Sequence, residues 1–391
     1  MYINTSSENL QKYAEKTALR LDGFESRSAK RESVMKKLNL AIIGQGRSGK
    51  DIHGKYYISD KNEYFNVKYV VEADERRRRI SKTRYEGCEV LSDYKELFDK
   101  SDIDLVVNAS FSNMHFEITK NLLENGFNVL CEKPFVRDRY ECDVLTNLAK
   151  EKGVTLAVFQ QTFYAPFYRD ALRVIKEKEI GDVLQVSIRY NTFARRWDWQ
   201  TLQKKMAGNA FNTGPHPFGM ALGFLDFDDE WRVAFSRLRH TPMSSGDSDD
   251  YCKVILTAPG KPVVDVEINN TDAFSGYNLK IQGSRGTFKC STTNYEVKYI
   301  VDGENPERPV IEGILQDENG NPKYCGENLA AHLLSGKYDG TAFDVGTAEF
   351  YKDLYFKLSE GRETYVTLDM VRKIVNLIER LYAGSSMPVK Y

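Results

Sequence analysis

The tripeptide Glu132-Lys133-Pro134 places a carboxylate, a lysine and a proline at the end of the apolar run 127–131. Ligands of doubly wound sheets bind at the carboxyl ends of the strands, so a charged pair at such an end predicts a binding or catalytic site. The proline has no amide hydrogen and biases Lys133 toward extended backbone, which ends the strand. Taken alone, the tripeptide is equally consistent with a charged surface turn.

A glycine-rich turn, Gly44-Gln45-Gly46-Arg47-Ser48-Gly49, follows the apolar run 38–43 and opens a segment that can be helical. This context is typical of dinucleotide binding: Gly44 permits a tight turn, Gly46 lets the backbone approach a pyrophosphate, and Gly49 allows a helix to pack closely on a strand. The amino end of that helix offers amide donors to an anion. We expect cofactor contacts from Gly44, Gly46, Arg47, Ser48 and Gly49.

The residues after the second apolar run, 67–71, bear on which cofactor binds. Asp74, or less favourably Glu72, can accept from the adenosine ribose hydroxyls, which favours NAD. The arginine run 76–79 follows at once, and Arg79 could instead take the 2′-phosphate of NADP. We expect NAD and leave NADP open; the run is also consistent with a solvated first helical turn.

Composition excludes several classes of protein. The chain of 391 residues has a formal net charge of −1, 41% hydrophobic and 28% charged residues, which indicates globular domains and gives no basic field for a nucleic acid. No apolar stretch suits a membrane span or a secretory signal, so we expect a soluble, cytoplasmic protein. The six cysteines and five histidines are scattered, which predicts neither a disulfide framework nor a metal site.

The elements that must position these residues alternate at first and then change character. Short apolar runs near 38–43, 67–71, 104–109, 127–131 and 154–159 alternate with amphipathic stretches such as 116–125 and 139–152. This pattern predicts a parallel, doubly wound Rossmann sheet.

After Pro166 a helical stretch precedes a succession of strand-like runs between 183 and 290, and helices are expected near 343–360 and 368–383. The fold class is therefore α/β, with a second α+β domain built on a large, mostly antiparallel sheet.

We expect three regions: a polar extension over 1–36, a cofactor domain over 37–162 and a substrate and oligomerisation domain over 163–391. Met35 is a candidate natural start, with the extension an over-long reading frame; a short helix that covers a neighbour is the alternative. A sheet covered by helices on one face leaves the other face to a partner, which predicts a homodimer or homotetramer through the second sheet.

The motifs together resemble the Gfo/Idh/MocA family, which contains glucose-fructose oxidoreductase and inositol dehydrogenase. The resemblance runs from residue 38 to nearly the end of the chain. It rests on the glycine turn, Asp74, Ser110-Phe111-Ser112-Asn113-Met114-His115, Glu132-Lys133-Pro134, Ala194-Arg195-Arg196-Trp197-Asp198-Trp199 and Asn212-Thr213-Gly214-Pro215-His216.

By this resemblance, Lys133 contacts both the cofactor and the reacting oxygen, and His216 is the general acid or base. The chemistry agrees, because hydride loss from a carbinol carbon requires a group to take the hydroxyl proton and a cation to steady the alkoxide. For His216, a histidine bonded to backbone at a helix start is the alternative. The resemblance also implies cofactor contacts from Ser110, Asn113, His115 and Glu132, although Ser112 or Asn113 could simply cap the following helix.

Two positions depart from the family pattern. Asn212 stands where many relatives have aspartate, and since an amide carries no charge we assign it substrate positioning. At 161–164, where many relatives have an asparagine and two arginines before an aromatic, Gln161 is left to reach the nicotinamide and Tyr164 the substrate. Arg195 and Arg196 could replace the missing pair, with Trp197 and Asp198 offering a ring face and an acceptor suited to a sugar. A structural role for this loop is the alternative.

The expected function is NAD(P)-dependent oxidoreduction of a sugar, cyclic polyol or sugar derivative. Two alternatives remain: an NAD-dependent glycosidase that acts by transient oxidation, and a cofactor-binding regulator that senses metabolites.

Overall fold

The computed structural model describes residues 35–388, so the expectations for the amino-terminal extension lie almost wholly outside the described residues. Its first sheet has six strands, all parallel, in the order β3-β2-β1-β4-β5-β6. The strands are β1 (Leu38–Ile43), β2 (Phe65–Val71), β3 (Glu89–Leu91), β4 (Leu105–Asn108), β5 (Val129–Cys131) and β6 (Leu156–Val158). This is the strand order of a Rossmann fold, with the switch in direction between β1 and β4.

Helices cover both faces of this sheet and connect its strands. The first begins irregularly, as a π-helical turn over Arg47–His53 that continues into the short helix α1 (Gly54–Tyr57). The others are α2 (Glu75–Arg84), α3 (His115–Glu124) and α4 (Arg139–Lys152). The central strands β1 and β4 are nearly or fully buried along most of their length, which is why they read as continuous apolar runs.

The second sheet has eight strands in the order β14-β13-β12-β11-β7-β10-β9-β8, and every neighbouring pair is antiparallel except β7 with β10. The strands are β7 (Val183–Asn191), β8 (Arg232–Arg239), β9 (Tyr251–Thr257), β10 (Val263–Asn269), β11 (Leu279–Gly283), β12 (Gly286–Cys290), β13 (Asn294–Tyr299) and β14 (His332–Lys337). Helices α5 (Pro166–Lys176) and α6 (Pro215–Phe224) follow the first sheet in the chain and contact the second sheet. The predicted fold class is confirmed.

The last two helices, α7 (Val345–Glu360) and α8 (Leu368–Ala383), return to the first sheet. On α8, Arg372 binds Asp143 of α4 at 2.6 Å. On α7, Tyr351 stacks on Tyr56 with ring centroids 4.6 Å apart, and Tyr355 packs against Tyr64 at 4.9 Å. Because α8 also contacts strand β8 of the second sheet, the carboxyl-terminal helices join the two sheets.

Three strands were not among the sequence-based expectations. Strand β3 has only three residues, too few to show a period. Strands β13 and β14 flank the polar stretch 301–331, which interrupts the pattern of short strands and tight turns. Within residues 35–388, no helix combines the length and the apolar character needed to cross a membrane.

Candidate active site

The glycine turn has the geometry that its three glycines predict. Gly44 has φ +89°, and an added Cβ there would lie 2.5 Å from the Ala109 carbonyl oxygen. A Cβ at Gly49 would lie 1.9 Å from the Gly44 carbonyl oxygen, so the turn and the helix touch through backbone. A Cβ at Gly46 would meet nothing within 4 Å, which leaves open space on the side of the turn where a pyrophosphate would lie.

Glu72 organises the backbone beside this turn. Its buried carboxylate accepts hydrogen bonds from the backbone amides of Gln45, at 2.7 Å, and Asp74, at 2.9 Å. Asp74 itself caps helix α2 by accepting from the Arg77 amide at 2.8 Å, and its side chain remains at the surface. Glu72 is thus a structural residue, and Asp74 is the acid that faces the neighbouring groove.

That groove has a volume of about 460 Å³ and lies beside the glycine turn. Its lining includes Gly46, Arg47, Lys50, Asp74, Arg76 and Arg77. The structure does not bring Arg79 to it: that guanidinium lies 3.3 Å from the Glu75 carboxylate on the same helix. Arg76 and Arg77, and not the predicted Arg79, line the groove.

Glu132 is buried and belongs to a polar chain. It accepts from the Lys133 backbone amide at 2.9 Å and contacts His53 Nε2 at 2.9 Å, while His53 Nδ1 lies 2.7 Å from the Tyr351 hydroxyl. The Tyr57 hydroxyl bonds to Tyr351 in turn. Burial alone would raise the pKa of Glu132, but the hydrogen bond and charge of His53, with Lys133, lower it to about 2. The carboxylate is therefore ionised.

His115 is also buried, and it joins two loops of the site. Its Nδ1 lies 2.7 Å from the Pro134 carbonyl oxygen and its Nε2 3.2 Å from the Ser110 carbonyl oxygen. Burial lowers its pKa, and a neutral imidazole can donate to only one of these oxygens. The Ser110 hydroxyl donates to Asn108 at 2.7 Å, and Asn113 is exposed. Helix α3 has no side-chain cap, so neither Ser112 nor Asn113 caps it.

Lys133 reaches across to the second half of the chain. Its Nζ donates to the Asn212 carbonyl oxygen at 2.9 Å. Burial lowers the pKa of Lys133, Glu132 opposes that shift, and the charges of Arg47 and Arg196 lower the pKa further. The glycine turn, the lysine and the loop around Arg196 are therefore close enough to interact electrostatically.

Asn212 lies in a π-helical turn over Asn209–Thr213, and a second amide orients its side chain. Gln200 Nε2 donates to Asn212 Oδ1 at 3.1 Å, and Arg196 donates to Gln200 Oε1. Because Gln200 occupies the Asn212 oxygen, the Asn212 Nδ2 group is the part left to donate, and it makes no hydrogen bond within residues 35–388. Gln200 was not among the site residues predicted from the sequence.

His216 stands in the first turn of α6, four residues after Asn212. Its Nδ1 lies 2.8 Å from the Thr162 hydroxyl oxygen, and its Nε2 bonds to no residue of the described chain. Burial and, second, the charge of Lys133 lower its pKa to about 3. The ring is therefore neutral near pH 7, with one nitrogen oriented and the other available.

Gln161 and Tyr164 have different surroundings. Gln161 is buried, and its Oε1 is a buried acceptor without a partner in residues 35–388. Tyr164 is also buried, and its hydroxyl donates to Asp353 of α7 at 2.5 Å, so that group is engaged in structure.

The loop predicted to receive substrate is mostly at the surface. Arg196 is paired with Asp198 at 2.9 Å, and Asp198 also accepts from the Gln200 amide at 3.2 Å. Arg195 is exposed, and Trp197 is 77% exposed. The tryptophan that reaches the cofactor side is Trp199, whose ring meets Phe111 edge-on at 5.0 Å.

These residues fit a bound dinucleotide. The turn at Gly46 offers unobstructed backbone, cations line the adjoining groove, and the Gln161 oxygen is a buried acceptor in need of a donor. No cluster of three or more possible metal ligands occurs in residues 35–388.

Both halves of the chain match models of one protein family. Residues 38–160 match the NAD-binding Rossmann-fold domain of the Gfo/Idh/MocA oxidoreductase family, and residues 168–289 match the carboxyl-terminal domain of the same family. The chain belongs to the Gfo/Idh/MocA family, and it is an oxidoreductase that uses a nicotinamide dinucleotide.

Individual relatives are distant. The scyllo-inositol 2-dehydrogenase (NADP(+)) IolW of Bacillus subtilis is 25% identical over 354 residues, which cover 89% of this chain and 94% of that protein. The 2,7-anhydro-N-acetylneuraminate hydratase of Mediterraneibacter gnavus is 22% identical over 306 residues, 78% of this chain and 80% of that protein. The crystal structure of KijD10, a 3-ketoreductase from Actinomadura kijaniata, in complex with NADP and TDP-benzene, has the same fold, with a TM-score of 0.71 at 15% identity over 90% of this chain and 98% of that one.

Proposed function

We propose that the protein is a dehydrogenase that moves hydride between a nicotinamide cofactor and a hydroxyl-bearing carbon of a sugar or cyclic polyol. The observation that carries the proposal is the 2.9 Å hydrogen bond from Lys133 Nζ to the Asn212 carbonyl oxygen, which brings the lysine to the turn that precedes His216. A cation and a neutral imidazole are the two groups that alcohol oxidation requires.

His216 is the proposed base. Its neutral ring can accept the hydroxyl proton at Nε2, because Nδ1 is held by Thr162. In the reverse direction the protonated ring returns that proton to the carbonyl oxygen. The low pKa makes the imidazolium a strong acid, which favours return of the proton.

Lys133 is the proposed electrostatic partner of the reacting oxygen. Its ammonium can exchange the Asn212 carbonyl oxygen for the substrate oxygen and steady negative charge there as the proton leaves. The bound cofactor supplies the hydride acceptor or donor. Glu132 keeps the lysine backbone in place through its bond to the Lys133 amide.

Asn212 is the proposed positioning residue for the substrate. Gln200 holds its oxygen, so its Nδ2 group points a donor at a hydroxyl or ether oxygen. Arg195, Trp197 and Asp198 stay in the proposal as residues of the outer rim, where an exposed ring face suits a sugar.

For the cofactor, Asp74 favours NAD through the ribose rule, and Arg76 and Arg77 in the same groove give NADP a phosphate site. We propose that both cofactors bind. The named NADP(+) dependence of the inositol dehydrogenase relative, which also motivates the polyol substrate class, is consistent with this.

A second candidate is a reaction without net oxidation. The hydratase relative is named for adding water to an anhydro sugar, which leaves the oxidation level of the substrate unchanged. The same lysine and histidine would serve such a reaction, or glycoside cleavage, by transient oxidation.

No helix or strand described within residues 35–388 pairs with the outward face of the eight-stranded sheet, whose side chains are largely half-buried or exposed. We propose that a second copy covers it, as expected for a sheet protected by helices on one face only.

The test is to incubate the purified protein with NAD or NADP and a panel of inositols, sugars and anhydro sugars. Reduction of the nicotinamide and product formation are recorded together. We expect reduction with one substrate class and loss of at least 1000-fold in turnover for Lys133→Met, with dinucleotide binding retained. Product without accumulated reduced cofactor would favour the second candidate, and wild-type turnover by Lys133→Met would exclude the proposed role.

A further inference from the structure

Residues 301–331, between β13 and β14, form an arm that leaves the body of the protein. All but four of residues 301–330 are exposed, the exceptions being half-buried. Its two legs are antiparallel: Asn305 bonds to Ala330, Arg308 to Glu327, and Lys323 to Leu315. Among residues 35–388, the hydrogen bonds and ion pairs of residues 305–330 are made within the arm.

The arm exposes apolar side chains that no part of residues 35–388 covers. Val310 is 89% exposed, Ile314 75% and Tyr324 99%. A two-stranded hairpin alone is marginally stable in water, and exposed apolar groups of this kind mark interaction surfaces. The arm therefore requires a surface to pack on.

The charge of the arm points to one kind of surface. It carries seven acidic and two basic residues, a net charge of −5, in a chain whose formal net charge is −1. Glu307, Glu312 and Glu318 make no ion pair with any residue of the described chain. A complementary surface must be basic and partly apolar.

The outward face of the second sheet has this character. Strand register puts nine basic and three acidic side chains on it: Arg189, Arg232, Arg237, Arg239, Lys253, Lys280, Lys289, Lys298 and Lys337, with Asp265, Glu267 and Glu296. The three acids are already paired: Asp265 with Arg189 and Lys253, Glu267 with Lys253, and Glu296 with Lys289. The other six basic residues form no ion pair within residues 35–388. Phe235, Val263 and Leu333 add exposed apolar groups to the same face.

We propose that the acidic arm of one copy docks on the basic outward sheet face of a second copy, and that the contact is reciprocal about a twofold axis. The proposal rests on the proposed self-association through the sheet face, and it identifies the arm as the segment that covers the partner's sheet face. Each leg has about 15 residues and can extend to roughly 50 Å, whereas eight strands span about 34 Å, so the arm is long enough to cross the partner sheet. A twofold axis gives two equivalent contacts.

The test is sedimentation velocity of the full chain over a range of concentrations, with two charge-reversal variants. One reverses the arm (Glu307→Lys, Glu312→Lys, Glu318→Lys) and the other the sheet face (Lys280→Glu, Lys298→Glu, Lys337→Glu). We expect each variant to raise the dimer dissociation constant at least tenfold, and the combined variant to restore dimerisation, because the reversed charges again attract. The matched control reverses three exposed acids elsewhere (Glu63→Lys, Glu86→Lys, Glu151→Lys) and should leave the constant unchanged.

Cys325 gives an independent readout, since it lies on the arm and is exposed while the other five cysteines are buried. Its alkylation by a maleimide should slow as protein concentration rises through the dimer range. A monomer at every concentration would overturn both self-association and docking. A dimer with an unchanged constant in the arm variant, or with constant Cys325 reactivity, would overturn docking and leave self-association standing.

Discussion

At the scale of single residues, the site depends on how burial sets protonation. Desolvation of the half-buried ring and, second, the charge of Lys133 lower the pKa of His216 to about 3. An ordinary histidine would titrate near pH 6.5. We expect kcat/KM for substrate oxidation to show no inflection between about pH 5 and 7, because the base is already neutral there. The measurement is a pH–rate profile, and a tenfold fall per unit below about pH 6.5 would contradict a depressed histidine pKa.

The hydroxyl of Thr162 fixes the working orientation of that histidine through a 2.8 Å contact to Nδ1. Thr162→Val keeps the shape and removes the hydroxyl, so we expect kcat to fall about tenfold, the equivalent of one lost hydrogen bond. Thr162→Ser is the matched control, and its kcat should stay close to wild type. Equal kcat values for the valine and serine variants would show that the hydroxyl has no such role.

The site residues that could be predicted from the sequence stand in local motifs, whereas those that could not be predicted act through contacts to residues distant in sequence. Lys133 and His216 stand in motifs with fixed spacing, and the geometry brings both to one region. Thr162 and Gln200 act through side-chain contacts to residues distant in sequence, and no local period marks such contacts. His53 is one of only five histidines, which was a signal in the sequence, but its partners could be identified only from the structure.

At the scale of elements, two glycines of the same turn have different roles: Gly49 is needed for packing, and Gly46 for cofactor binding. Gly49→Ala would drive a Cβ to 1.9 Å from the Gly44 carbonyl oxygen, so the helix must move off β1. We expect a loss of a few kcal/mol in the free energy of unfolding. Gly46→Ala meets no protein atom within 4 Å, so it should leave stability nearly unchanged and weaken dinucleotide binding at least tenfold by crowding the pyrophosphate. Urea unfolding measures the stability of the two variants, and fluorescence titration with NADH measures their cofactor binding. Undiminished NADH binding by Gly46→Ala would mean that the pyrophosphate does not lie against this turn.

Glu132 connects the loop after β5 to the turn that precedes α1. Its folded pKa of about 2 lies below the ordinary value of 4.5, so its ionised form favours the folded state by on the order of 3 kcal/mol. This contribution is complete above about pH 4.5 and is lost as the pH falls toward 2. We expect Glu132→Gln to be less stable than wild type at pH 7 and the difference to shrink below about pH 4.5. Urea unfolding at several pH values tests this, and a difference independent of pH would assign the loss to packing.

At the scale of the whole molecule, the parallel Rossmann sheet could be predicted because five of its six strands carry their own apolar signal, whereas β3, with three residues, does not. The return of α7 to that sheet could not, since an amphipathic helix does not show in sequence which surface it covers. The arm was missed for a related reason: residues 301–331 lack the apolar period of a strand, and their register comes from contacts between the two legs.

The return of α7 and α8 to the first sheet, with α8 also in contact with β8 of the second, predicts that the two sheets unfold together. Tyr351 on α7 bonds to His53 at 2.7 Å and to Tyr57, and it packs against Phe65 of β2 with ring centroids 5.4 Å apart. Tyr351→Phe keeps the ring and leaves two buried polar groups without their partner, which should cost about 1–3 kcal/mol of unfolding free energy. Tyr355→Phe is the control, since that hydroxyl makes one longer bond, 3.2 Å to the Lys36 carbonyl oxygen.

Because His53 also holds Glu132 beside Lys133, we expect Tyr351→Phe to weaken cofactor binding several-fold while Tyr355→Phe does not. Thermal unfolding followed by circular dichroism and by fluorescence of bound NADH should give coincident transitions in both variants and in the wild type. Separate transitions for the two probes would mean that α7 does not couple the sheets. Unchanged binding in Tyr351→Phe would confine the role of this hydroxyl to stability.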